Sequence, residues 1–462
     1  MTETEISSAA AIQSINPATG EVLQTWHPHS DEEIDLRLTS LVDSARRWAA
    51  RSLEQRAEVL RTLAAEMTVR RDALARIATL EMGKPIVQAE AEIDKCARSI
   101  AHFADRAAHD LAPELVATDA EKSYVRYEPL GVVLAVMPWN FPFWQVFRCA
   151  APALMAGNVI ALKHASSVSG CAVAIEARLD EAARLPVLEV LLVPGSRAAA
   201  LVDRPEIHAV AVTGSEPTGR AVAARAGAAL KKTVLELGGS DPFVVLADAD
   251  LQTTLDEAVF ARIQNNGQSC IAAKRFIVEE SVADAFTTGL QWRFEALRVG
   301  DPLDRTTQVG PLARLELRDE LDRQVRESIA RGARLVTGGH PMEGRGAFYR
   351  PTVLADVAPG MPAFDEETFG PVAPVIRARD AEHALELANH SRYGLGASVW
   401  TQDAARGEAF AARLQAGATF VNGIVRSDPR LPFGGVKNSG YGRELGVAGL
   451  REFVNVKSVW IR

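Results

Sequence analysis

Cys270 ends the stretch Asn265-Asn266-Gly267-Gln268-Ser269-Cys270, and the chain before it reads as a helix over Asp250 to Asn266. Leu251, Leu255, Ala258, Val259 and Ile263 form one stripe, and Asp250 is placed to cap the start. Gly267 stops the helix, because glycine takes the left-handed conformation without strain. The thiol thus arrives on a loop just beyond a rigid element, where it can meet a ligand; the competing reading is an ordinary buried cysteine packed as a small hydrophobe. A second chemical group is Glu236 in Val234-Leu235-Glu236-Leu237-Gly238-Gly239. Buried in that apolar run it must be paired or protonated, and desolvation raises its pKa toward the range of a general base. On the wet face of an ordinary strand it would be unperturbed.

Several elements must position these groups. Val132 to Met137, Val159 to Leu162, Val187 to Val193 and Ala209 to Val212 are continuously apolar runs, as strands covered on both faces are. Helical segments, Phe143 to Ala156 and Val173 to Arg184, lie between them, so the rhythm implies a parallel sheet with right-handed crossovers. Ligands bind beyond the carboxyl ends of such strands, where Asn140, Lys163 and Ser215 fall. No G-x-G-x-x-G is present. Thr213-Gly214-Ser215-Glu216-Pro217-Thr218-Gly219 is a substitute, with Ser215 or Glu216 capping a helix whose free N–H groups suit a pyrophosphate. A capped helix with a glycine also occurs as plain structure.

Upstream, Asn16 to Gly20 is a turn signature, Asp31 to Leu80 is helical, Gly83-Lys84-Pro85 ends that run, and a second helix spans Val87 to Leu111. Both helical runs read as scaffold. Tyr124 to Glu128 alternates as an exposed strand does. After Cys270, Arg275 to Glu279, a helix over Leu315 to Arg331, and strands at Arg334 to Thr337 and Pro374 to Arg377 make a second α/β unit. Asn455 to Ile461 alternates like a strand with little chain left to pair it locally, which points to a sheet extended across an oligomer interface.

A net charge of -8 with no basic cluster excludes a nucleic-acid surface. Apolar stretches such as Gly131 to Met137 are too short to span a bilayer, and Met1 to Ser14 carries no signal pattern and reads as a frayed cytoplasmic start. Cys96, Cys149, Cys171 and Cys270 contain no CxxC pair, which fits a reducing compartment, and the histidines offer no HExxH spacing for a metal.

Pro138-Trp139-Asn140-Phe141-Pro142, Leu235-Glu236-Leu237-Gly238-Gly239, Gly267-Gln268-Ser269-Cys270, Glu367-Thr368-Phe369-Gly370-Pro371 and Pro432-Phe433-Gly434-Gly435 occur in that order. Together, over about Ser14 to the C-terminus, they resemble the NAD(P)-dependent aldehyde dehydrogenase superfamily. Leu162-Lys163-His164-Ala165-Ser166 and Gly238-Gly239-Ser240-Asp241-Pro242 resemble its succinate-semialdehyde dehydrogenase branch. The resemblance implies an α/β fold with a Rossmann-type cofactor domain of parallel sheet (1–110 and 130–240), an α/β catalytic domain (241–430) and a small β oligomerisation element (111–129 and 445–462). It implies Cys270 as nucleophile, Asn140 and the Cys270 N–H as oxyanion donors, and Glu236 as the base that hydrolyses a thioester. Trp139, Lys163, Ser166, Thr213, Gly214, Ser215, Leu237, Glu367 and Phe369 would hold the cofactor. Members preferring NAD often carry Glu at position 166; neutral Ser166 beside Lys163 predicts NADP, with NAD second.

For substrate, the resemblance places Arg148 where the branch carries a tunnel arginine that matches a carboxylate. A second branch arginine is replaced by Gln264, with Arg426, Ser427 and Phe433 as further tunnel candidates. The expectation is oxidation of succinate semialdehyde to succinate by a cytoplasmic homodimer or homotetramer. A broader-specificity aldehyde dehydrogenase, a non-redox thioester hydrolase and a silent scaffold are the alternatives.

Overall fold

The computed structural model describes residues 11–462, so most of the stretch expected to fray, Met1 to Ser14, lies outside the described residues. Its last part does not fray. β1 (Ile12–Ile15) pairs antiparallel with β2 (Val22–Trp26) around the Asn16–Gly20 turn.

The run from Asp31 to Leu80 is three helices rather than one: α1 (Asp31–Ala49), α2 (Leu53–Val69) and α3 (Arg71–Met82). The first break comes from Ser52, whose hydroxyl accepts from the Gln55 N–H while the Gln55 side chain accepts from the Ser52 N–H. That capping box satisfies donors at a new helix start. Gly83, left-handed at φ +82°, closes α3, and α4 (Ile86–Asp110) follows.

After the short ladder of β3 (Glu114–Leu115) and β4 (Lys122–Pro129), the chain alternates strand and helix. β5 (Val132–Met137), α5 (Trp144–Met155), β6 (Val159–His164), α6 (Ser169–Ala183), β7 (Leu188–Val190), β8 (Ala209–Thr213), α7 (Glu216–Ala228) and β9 (Lys232–Glu236) build a parallel sheet in the order β9-β8-β5-β6-β7. Every residue of β5, β6 and β8 is buried, which explains their unbroken apolar runs. The strand order reverses between β5 and β8, so the crevice where such sheets bind ligands opens beside the loops that carry Asn140 and Ser215.

A second sheet runs β12-β13-β14-β11-β10-β15-β16. Its strands are β10 (Asp241–Val245), β11 (Ala273–Glu279), β12 (Arg334–Thr337), β13 (Thr352–Ala355), β14 (Val372–Ala378), β15 (Gly396–Trp400) and β16 (Ala418–Val421), all parallel except the β12–β13 pair. Helix α8 (Leu251–Ile263) connects β10 to β11 and ends just before the Cys270 loop. Two late strands return to earlier ones. β17 (Gly440–Tyr441) sets Gly440 opposite Glu236 on β9, and β18 (Val454–Ile461) pairs along its whole length with β4. The C-terminal strand therefore finds a partner inside its own chain, because β4 presents an edge of matching length.

Candidate active site

Asp250 caps α8 by accepting from the Thr253 N–H at 2.9 Å. The helix ends at Ile263, short of the expected Asn266, because Asn265, Asn266 and Gly267 are all left-handed, at φ 57°, 58° and 74°. Distant carbonyls hold this unfavourable path. Asn266 Nδ2 donates to the Gly83 and Pro311 carbonyls, both at 2.9 Å, and Asn265 Nδ2 donates to those of Asn140 (2.7 Å) and Gln268 (2.9 Å). Buried Arg262 donates to the carbonyls of Ala273, Gly267, Thr368 and Gly370. Lys274 Nζ closes the loop on the Ser269 (2.8 Å) and Cys270 (2.6 Å) carbonyls. Strain fixed this firmly, next to a thiol, marks a site whose geometry matters.

Asn140, on the loop after β5, donates from Nδ2 to the Gln268 carbonyl at 3.0 Å, which seats its amide on the nucleophile's loop. Glu236 ends β9 and is 2% exposed, and neither of its carboxyl oxygens has a hydrogen-bond partner among the described residues. Burial pushes its pKa well above the ordinary carboxylate range, opposed by the Arg148 guanidinium. That guanidinium is ion-paired with Glu444, donates to Thr213 Oγ1 at 3.2 Å and lies 4.7 Å from the Phe433 ring centre. Burial lifts the Cys270 thiol to about 11, against the pull of Arg148 and Lys274, so the resting sulfur is protonated.

Cys270 forms part of the wall of a cavity of about 400 Å³. All five expected substrate residues, Arg148, Gln264, Arg426, Ser427 and Phe433, line the same cavity. So do Gln88, Lys95 and Arg98 of α4, which makes that helix a tunnel wall as well as scaffold.

At the sheet's carboxyl edge, Ser215 caps α7 by accepting from the Thr218 N–H, and a Cβ added at Gly214 would meet nothing nearer than 4.0 Å. The Gly214 N–H donates to the Glu236 carbonyl at 3.0 Å, tying Thr213-Gly214 to Leu237's strand end, while Leu237 packs so closely on Gly219 that a Cβ there would lie 2.5 Å from it. Lys163 Nζ and the Ser166 hydroxyl make no hydrogen bond among the described residues, and burial lowers the lysine to about 8. Trp139 and Phe369 meet edge to face at 5.7 Å. Glu367 accepts from the Gly239 N–H at 3.1 Å and pairs with Lys274 at 3.1 Å. Unspent donors at Lys163, Ser166 and the start of α7, with open space over Gly214, fit an anionic dinucleotide.

The model of the Aldehyde dehydrogenase family matches residues 4–459. The chain belongs to that family. Among its relatives, the protein named Probable succinate-semialdehyde dehydrogenase [NADP(+)] from Synechocystis sp. is 51% identical over 98% of this chain and 100% of its own length. Succinate semialdehyde dehydrogenase [NAD(P)+] Sad of Escherichia coli is 48% identical over 98% and 99%. The solved structure of Gox0499, studied for cofactor and substrate selection, superposes with a TM-score of 0.96 at 41% identity over 98% of this chain and all of that one. The succinic semialdehyde dehydrogenase of Streptococcus pyogenes, in complex with NADP+, gives 0.95 at 36% over 98% and 100%.

In this aldehyde dehydrogenase the family motifs singled out Cys270, Asn140, Glu236 and the strand-end residues as expectations, whereas Glu444, Lys274 and Lys95 were not singled out. Glu444 stood within a glycine-rich stretch without a partner in sequence, and its role as counter-ion appears only when the chain's end folds over Arg148. Lys95 had a local signal, since Gln88, Glu92, Lys95 and Arg98 share one helical face.

Proposed function

We propose that this aldehyde dehydrogenase oxidises succinate semialdehyde to succinate with NADP as the preferred acceptor and NAD as the second. The observation that carries the reading is a cavity whose wall holds Cys270 together with Lys95, Arg98, Arg148 and Arg426, cations suited to an aldehyde that also bears a carboxylate. The names of the relatives support it.

Cys270 Sγ, protonated at rest, loses its proton to the carboxylate form of Glu236 and bonds to the aldehyde carbon. The Asn140 amide and the Cys270 N–H hold the resulting oxyanion, each such donor lowering the barrier by about 3 kcal/mol. When bound, the nicotinamide supplies the hydride acceptor. The carbon on Sγ gives up hydride and becomes a thioester. Once it has passed the first proton to solvent, Glu236 takes a proton from water, the water oxygen attacks that carbon, and the C–S bond breaks, the acid proton going to the leaving thiolate, so that carboxylate and thiol are released. Lys163 and Ser166 would receive the 2′-phosphate of NADP, Ser215 and Gly214 the pyrophosphate, and Glu367 the nicotinamide ribose, with Trp139, Thr213, Leu237 and Phe369 around it.

Residues 1–110 and 130–240 serve in this reading as the cofactor domain, 241–430 as the catalytic domain, and 111–129 with 445–462 as the surface where copies meet. The free cysteines suit a reducing cytoplasm. The deciding measurement is reduced-nicotinamide absorbance with succinate semialdehyde, glutarate semialdehyde and butanal, each with NADP and NAD. Succinate semialdehyde with NADP should give the highest kcat/KM; an equal or higher value with NAD, or for butanal, contradicts the corresponding half of the proposal.

A further inference from the structure

The cations around the tunnel differ in how far their charge is already met. Arg148 is ion-paired with Glu444 and stands near Glu236. Arg98 and Arg426 are exposed to water. Lys95, half-buried on the inward face of α4, is different. Its Nζ donates to Ser427 Oγ at 2.6 Å and lies 4.1 Å from the centre of the Trp144 ring, and among the described residues it has no ion pair. The carboxylate one turn before it, Glu92, is already spent on Lys84 and on the Phe143 and Trp144 N–H groups, both at 2.9 Å.

A cation held against apolar surface without a counter-ion is a deficit that an anionic ligand fills. The hydrogen bond to Ser427 also sets direction. Because Lys95 donates to the serine oxygen, the serine proton is left to donate onward, so one N–H and one O–H can close on the two oxygens of a carboxylate. We propose that Lys95, with Ser427 beside it, receives the distal carboxylate of the aldehyde whose carbonyl reaches Cys270, the role that the family resemblance assigns to Arg148. This rests on the proposed oxidation of a carboxylate-bearing aldehyde. Arg148 is left to balance Glu444 and Glu236 and to lower the cost of the Cys270 thiolate.

The experiment compares kcat/KM for succinate semialdehyde and for butanal, which has the same number of carbons and no carboxylate, in the full-length enzyme with NADP. Lys95→Met and Lys95→Gln should each lower the acidic-to-neutral ratio by at least about tenfold, mainly through KM, as expected when a charged hydrogen bond is lost. Lys95→Arg should retain more of the ratio than either. The NADP dissociation constant and melting temperature of each variant separate lost recognition from a damaged fold, and Lys95→Gln, which keeps a polar contact to Ser427, stands in should Lys95→Met not fold. Neutral variants that keep the wild-type ratio, while Arg148→Ala loses it, would return the carboxylate to Arg148 and overturn the proposal. A wild-type enzyme that does not distinguish the two aldehydes overturns the carboxylate reading and the role of Lys95 together.

Discussion

Glu236 is costly to keep and useful because of that cost. A buried carboxyl without a hydrogen-bond partner stays protonated over pH values at which an exposed one is charged. It ionises as pH rises through its raised pKa, so thioester hydrolysis should speed up with pH beyond the ordinary carboxylate range. Glu236→Gln removes the base without removing Cys270. Stopped-flow absorbance should then show the first equivalent of reduced nicotinamide per Cys270 formed more slowly, because the thiol has lost its proton acceptor, followed by turnover about 100-fold or more slower than wild type and without the rise with pH. An unchanged steady rate would take Glu236 out of the hydrolytic step. Cys270, Glu236 and Asn140 could be read from sequence because each sits in a motif punctuated by Gly or Pro. Lys95 left only a weak trace, a polar stripe on an ordinary amphipathic helix, because what sets it apart is its partner Ser427, 332 residues away.

At the scale of elements, two devices hold the site. The first is the left-handed turn after α8, which the residues indicated only in part. Gly267 announced a stop, but the carbonyls that let Asn265 and Asn266 turn left-handed belong to Gly83, Pro311 and Asn140, and no local pattern reveals them. Gly267→Ala would add a Cβ 2.3 Å from the Gly370 carbonyl at φ +74°. It should lower stability by about 1–3 kcal/mol and reduce kcat more than the binding of NADP, read from urea midpoints and kinetics. The second device is His164 at the end of β6. The Ala165 N–H donates to its Nδ1 at 2.9 Å, so Nε2 carries the proton and donates to the Pro142 carbonyl at 2.8 Å, pinning the Asn140 loop to the sheet. Burial lowers its pKa from 6.5 to about 4. The unfolded chain therefore binds the extra proton across that window, and folding stability should fall as pH drops from about 6.5 toward 4, by roughly 2 kcal/mol between pH 7 and pH 5. Urea midpoints of wild type and His164→Gln at both pH values test this, because the variant should lose less; parallel losses would assign the acid sensitivity to other groups.

At the scale of the whole molecule, β18 leaves a question that its pairing with β4 does not close. The sheet order is β18-β4-β3, so β18 keeps one open edge. Leu115, Val116, Val456, Trp460 and Ile461, on or beside this sheet, are all exposed, with Leu115 at 77% and Trp460 at 53%. The register puts Leu115 and Ile461 on one face and Val456 and Trp460 on the other, and apolar side chains exposed on a sheet with a free edge invite aggregation unless something covers them. A second copy of the chain is the economical cover, since the same strands then bury the same surface on both sides of a two-fold axis. Sedimentation equilibrium should accordingly give a mass that is an even multiple of 49.8 kDa. Trp460→Glu combined with Val456→Lys puts two charges on that surface and should shift the population toward single chains, while the Cys270 tunnel, built from other elements, stays intact. A wild-type enzyme that sediments as one chain at micromolar concentration would leave the exposed sheet without this explanation.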